Sequence, residues 1–188
     1  MSTLVVYSDT TDGFIYCIDG VADDGEEGGA NGTYAAARAG TGSQFGADAA
    51  SIYAVVGQAK VVAYFTEYQV QEAFLAFNTS SIPDGDTVSA AVLNLTSQQD
   101  QSATDFTLEA RLYDWGASLT TADWVTSLSS QTLLAHRDTA SGWTATTAYD
   151  LTDDAFAANV SKTGSTRLLL CSDYTTANET CASRAEMP

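Results

Sequence analysis

Five carboxylates, Asp19, Asp23, Asp24, Glu26 and Glu27, fall within nine consecutive residues. Hard cations such as calcium take several oxygen ligands, so this loop has the donors for a calcium site. It lacks the Asp-x-Asp-x-Asp-Gly order of an EF-hand, and a solvated acidic loop accounts for the same residues. The balance favours the solvated loop. Trp115, Trp124 and Trp143 are the residues best suited to stacking on sugar rings, and Trp115 sits beside turn residues. Core packing is the competing reading for each, because large aromatics are mostly buried. Hydrolytic chemistry finds less support. His136 is the only histidine, and no Gly-x-Ser-x-Gly elbow accompanies it. A glycosidase needs two carboxylates across a cleft, and the 24 acids single out no pair. Cys17, Cys171 and Cys181 do not have zinc-finger spacing. Cys171 and Cys181 can close a disulfide loop in an oxidising compartment and remain thiols in a reducing one. The expectation is a non-enzymatic protein with no cofactor other than calcium.

Composition narrows the partners. The formal charge is −17, from 24 acids and 7 scattered bases. Nucleic-acid binding needs clustered bases to displace counterions, so that class is set aside. No apolar run approaches the roughly 20 residues of a membrane-spanning helix. The N-terminus has no basic segment followed by an apolar one, so no secretory signal is expected. At 188 residues and 45% hydrophobic content, one domain with a sizeable core is the expectation. Two prolines, abundant Thr, Ser, Ala and Gly, and 10% aromatics suit many strands and short turns.

The elements that must position these side chains read as follows. Residues 4–7 form a first strand, and residues 14–18 a second with Phe14, Tyr16 and Ile18 on one face. Residues 19–32 are an exposed loop, and residues 39–50 a second Gly/Ser-rich loop. Residues 52–58 and 61–65 are strands. Phe106, Leu108, Ala110 and Leu112 alternate with Thr107, Glu109, Arg111 and Tyr113, as a half-buried strand requires. Residues 119–128 hold a helical turn capped by Thr121, and residues 133–136 a short strand. A helix capped by Thr152 carries Phe156 and Val160 on one face and ends at Gly164. Residues 166–171 are apolar on both faces, so that strand is central.

Residues 72–95 are the organising stretch. Ala73, Leu75 and Phe77 share one face, and Ala91, Leu93 and Leu95 share another. Between them Ile82-Pro83-Asp84-Gly85 is turn chemistry. The two runs read as adjacent core strands, with Leu75, Phe77, Leu93 and Leu95 buried together.

This stretch, Phe74-Leu75-Ala76-Phe77-Asn78-Thr79-Ser80-Ser81-Ile82-Pro83 and onward to Leu95, resembles the disaggregatase-related (DNRLRE) modules. It is similar also to single-domain virion-associated proteins of tailed bacteriophages. The resemblance covers about two dozen residues and is more specific for fold than for function. It implies an all-β, antiparallel β-sandwich of jelly-roll type with one or two short helices in connections. It implies a non-catalytic structural protein at the virion surface, as a capsid decoration or tail-associated adhesion module. The partners would be other virion proteins and a host surface glycan. In the resembling proteins a strand carries Thr-Tyr/Trp-Ala-x-x-Arg, matched here by Thr33 to Arg38. Those proteins also end in a strand for which residues 182–188 are too short and too polar. Either the protein continues past Pro188, or an open edge beside the strand at 166–171 is covered by a homo-oligomer, most simply a trimer, or by a shell protein. Two other classes stay open: a carbohydrate-binding module of a cell-surface or secreted protein, and a polysaccharide hydrolase or lyase.

Overall fold

The structure is a computed structural model that describes residues 3–20, 30–49, 51, 53–62, 65–177 and, by backbone alone, 185–187. It is an all-β sandwich of two antiparallel sheets of unequal size. Its axis is β4 (Thr66–Asn78), thirteen residues long. Residues 68–74 of β4 pair along one edge with β1 (Gly13–Asp19), which pairs in turn with β2 (Gln44–Ala49). Along the other edge, residues 66–71 pair with β3 (Val56–Val62), and residues 73–78 pair with β9 (Ser165–Ser172). One long strand therefore carries two partners end to end, and the large sheet branches near Ala73. β9 continues into β6 (Thr107–Leu112) and β7 (Leu133–Asp138). β10 (Ala185–Met187) closes on β3. The second sheet is the pair β5 (Leu93–Thr96) and β8 (Ala148–Leu151).

Strand alternation sends successive β4 residues to opposite faces, and both faces are buried. On the first, Ala73 and Leu75 meet Leu108, Ala110, Leu168 and Leu170, and β5–β8 covers them with Leu93 and Leu151. On the second, Phe74 and Ala76 join Ile15, Leu169 and Cys171. Their cover is the irregular segment that supplies Trp115, Leu119, Val125 and Leu128.

Several expectations are corrected. The two halves of residues 72–95 are not adjacent strands: β4 and β5 belong to different sheets and face each other across the core. Their facing is as read. Leu75 and Leu93 are buried, while Phe77 and Leu95 are half-buried and packed against the same cluster. Gly85 does not use the positive-φ region. The connection is held instead by Lys162, whose Nζ donates to the carbonyls of Asp84 and Asp86. Residues 4–7 are not a strand; Leu4, Val5 and Tyr7 are exposed, and Ser8 only bridges to Phe77. In β1 the fully buried side chains are Ile15 and Cys17, with Phe14 and Tyr16 half-buried on the other face.

Thr33 to Arg38 is not a strand but the start of α1 (Tyr34–Ala39). Alanine is the strongest helix former, Thr33 accepts from Ala36 N–H as N-cap, and Gly40 takes the left-handed conformation that ends the helix. The loop expected over 39–50 contains β2. The turn near 121 is capped by Thr120 and not Thr121. α2 (Asp154–Ala158) is capped by Asp153 and not Thr152, and it ends well before Gly164. With α3 (Asp173–Ala177) the described residues hold three short α-helices, one more than expected. The expectation of an open edge beside residues 166–171 fails as well. β9 is paired on both sides, by β4 and β6, which is why it is apolar on both faces.

Candidate functional site

The buried ionisable groups gather on the second face of the large sheet. Glu72 precedes Ala73 on β4, so alternation turns it to the face of Phe74 and Ala76, the side where the irregular segment lies. It is fully buried. Arg38, at the end of α1, approaches it with Nη1 3.3 Å from Oε1. The rest of the guanidinium binds backbone: Nη2 donates to the carbonyls of Val125 (2.9 Å) and Thr126 (3.1 Å), and Nε to that of Thr175 (3.4 Å). Glu72 Oε2 accepts from Val125 N–H at 3.1 Å. Trp124 lies beside the guanidinium at 5.9 Å and donates its indole N–H to the Arg38 carbonyl. Burial pushes the Glu72 carboxyl up to about 8, against the pull of Arg38 and of the Val125 N–H. Its two oxygens face Arg38 on one side and the Val125 N–H on the other.

Two further clusters adjoin. On β6, Glu109 Oε2 receives Arg111 Nε at 3.0 Å, and Arg111 Nη1 donates to the carbonyl of Gln131 at 2.7 Å. Thr176 Oγ1 also donates to Glu109, and the Cys171 thiol lies 3.8 Å from the same oxygen. Burial pushes that thiol up to about 12, which leaves it unreactive as a nucleophile. Beside α3, Gln58 Nε2 donates to Tyr34 Oη at 3.2 Å and Thr175 Oγ1 at 3.1 Å, and Ser172 and Thr175 hydroxyls lie 2.8 Å apart.

Described residues line two surface clefts of note. One, of about 440 Å³, is walled by Tyr34, Arg38, Ser127 and Thr176. The other, of about 110 Å³, lies at the mouth of the sandwich, between the start of β3, the end of β5 and Trp143.

The residues singled out by chemistry fall as follows. Asp19 Oδ2 accepts from Thr33 N–H at 2.7 Å and so braces the entry to α1. Asp23, Asp24, Glu26 and Glu27 lie outside the described residues, and no group of three metal-binding side chains occurs among those that are described. Cys181 lies outside them too; Cys171 is a free buried thiol. Trp115 is buried edge-on to Phe74, with Arg167 over its ring. Trp143 is buried and stacks on Tyr149 with ring centres 4.4 Å apart, Arg137 lying against both. Trp124 is half-buried, edge-on to Phe45. Trp115 and Trp124 belong to the second face of the large sheet and Trp143 to the first. His136 is exposed on β7, and no Ser-His-acid chain runs through it among the described residues.

Sequence reasoning missed Glu72, which alternation alone would place in solvent. The signal for Arg38 was present in the Thr-Tyr-Ala-x-x-Arg pattern, but not its partner. No helix among the described residues is long and apolar enough to cross a membrane. No protein-family model, curated protein or solved structure matches this chain, so its functional reading rests on its own residues and geometry.

Proposed function

We propose that the chain is a non-enzymatic structural protein of a tailed-phage virion, displayed on the outside as a capsid decoration or tail-associated adhesion module. The jelly-roll assignment and the virion location both come from the resemblance carried by residues 72–95. One observation supports the non-catalytic part. Each carboxyl or thiol shifted most by burial is spent on the fold: Glu72 on Arg38 and Val125, Cys171 beside Glu109 and Thr176, Asp12 on the Ala76 N–H. Catalytic groups with shifted pKa values ordinarily line an accessible cleft instead. Mass spectrometry and immunogold labelling of purified particles test the reading. Stoichiometric copies on the outer surface are expected; absence from the particles overturns it.

Homo-oligomerisation belongs to the same reading. Its support is no longer an open edge but the exposed apolar residues Leu4, Val5 and Tyr7 near the N-terminus. Sedimentation of the isolated chain should give a trimer; a monomer would remove this part.

A carbohydrate-binding module of a cell-surface or secreted protein is the second reading. The aromatic cleft beside Trp143 favours it, and a glycan array tests it. A turnover assay on polysaccharides separates both from a hydrolase or lyase.

A further inference from the structure

The segment Thr3 to Tyr7 has the residues of a strand without a sheet to join. Thr3, Val5, Val6 and Tyr7 are types enriched in strands, yet none lies in one. Leu4, Val5 and Tyr7 are 50%, 68% and 86% exposed. Thr3 to Val6 make no backbone hydrogen bond to any described residue. The root of the segment is fixed: Ser8 bridges antiparallel to Phe77, and Asp9 N–H donates to the Ala76 carbonyl at 2.8 Å. Local preference that the fold of one copy leaves unused is a mark of a functional site.

β2 is the complement, a sheet edge without a neighbour. It pairs with β1 on one side, and among the described residues no strand lies on the other. The remaining edges are blunted. β7 bridges to Thr152 and lies against α2, β5 is four residues long, and β3 pairs with β10 and carries Lys60 beyond it. β2 has six residues, no proline, no base and no bulge in its register with β1. Natural sheets rarely leave such an edge open. Phe45, Ala47 and Ala49 share the face that carries Ile15 and Cys17, and Phe45 is 38% exposed there.

The two do not meet within one chain. Pairing of Ser8 with Phe77 sends the segment past the Asn78 end of β4. β2 runs the other way, from Ala49 beside Gly13 to Gln44 beside Ile18, level with residues 74 to 69 of β4. To reach its own β2 the segment would have to reverse at Ser8 and cross beyond β1. Charge favours a second copy as the partner. A chain of net charge −17 repels its copies except where acids are sparse; Thr3 to Ser8 has none and β2 only Asp48. The lengths agree too, at about 17 Å for five extended residues and about 20 Å for six.

We propose that residues 3–7 of one copy add as a strand to the outer edge of β2 in another copy. Main-chain bonds hold the added strand, and Val5 or its neighbours cover Phe45. The contact joins unlike surfaces, so a closed ring fills every edge with an arm. The inference rests on the homo-oligomer reading above and names its contact.

Sedimentation velocity on the full chain tests it. The wild type should associate, and its amides at residues 3–7 should exchange more slowly as concentration rises. Val5→Pro removes a donor and should weaken self-association at least about a hundredfold. The melting temperature of dilute protein should not change, because Val5 is largely exposed in one copy. Phe45→Lys, which charges the face to be covered, should weaken association as much; if circular dichroism shows it unfolded, Ala49→Lys on the same face replaces it. Val5→Pro keeps its edge and the β2 variant keeps its arm, so the two mixed should form a one-to-one dimer although neither associates alone. An oligomer that survives either variant, or a mixture that stays monomeric, overturns this contact and leaves homo-oligomerisation standing. A wild type that is monomeric at every concentration overturns both.

Discussion

The two faces of the large sheet are buried to a similar degree by opposite means. The first is covered by β5–β8, whose backbone groups satisfy one another in a ladder. The cluster beneath it is built from Leu75, Leu93, Leu108, Leu151, Leu168 and Leu170 and needs no charged side chain. The second is covered by a segment with only 3₁₀ turns at Thr121–Asp123 and Leu128–Ser130. Irregular backbone has carbonyls without ladder partners, and burying them unbonded is costly. Three of the chain's seven bases are used to tie this segment down. Arg38 takes the carbonyls of Val125 and Thr126, Arg111 takes that of Gln131, and Arg167 takes the Asp114 carboxylate. A regular cover needs only shape, whereas an irregular one needs charged donors. That is a sufficient reason for an acidic protein to place arginines inside.

The comparison can be broken most sharply at Arg38. Arg38→Ala removes the donor to Glu72 and leaves the carbonyls of Val125, Thr126 and Thr175 without it, so it should cost about 3–5 kcal/mol in urea denaturation. Hydrogen exchange at the Val125 amide should accelerate well before that at Leu75. Uniform acceleration on both faces would show that the second cover is not separately tied.

The apolar face should respond differently. Leu168→Ala should cost about 2–5 kcal/mol, through lost burial plus a cavity, with little dependence on pH or salt. A salt-dependent loss would contradict the division between the faces.

A pH series sharpens the contrast. The folded Glu72 carboxyl is raised from its ordinary value of 4.5 to about 8. Between these values the folded state holds a proton that the unfolded chain has released. The stabilisation from this proton is full below pH 4.5 and is lost as pH rises through about 8. The stability of the wild type relative to Glu72→Gln should therefore decline over that window. The same comparison made on Leu168→Ala should stay level.

The smallest effect is expected at the entrance to α1. Thr33→Ala removes the side-chain acceptor of Ala36 N–H and should cost about 1 kcal/mol in thermal melts. A much larger loss would mean that the cap, and not Arg38, carries the attachment of this helix.

The residues by themselves determined the class and the facing. Alternation at Ala73 and Leu75, at Leu108 and Ala110, and the doubly apolar run Leu168–Leu169–Leu170 followed by Cys171 all turned up where an all-β chain needs them. Those are local properties, because strand geometry alone decides which side chains share a face. Neighbours are a different matter. Nothing in Leu93 or Leu95 says that β5 will pair with β8 and only face β4. Pairing depends on how long-range loops close and which edges remain free, and many partners satisfy the same pattern. The fate of Glu72 was hidden for the same reason. A polar residue alternating with apolar ones reads as solvent-facing until a second layer, contributed from residues 113–131, arrives on that side with Arg38.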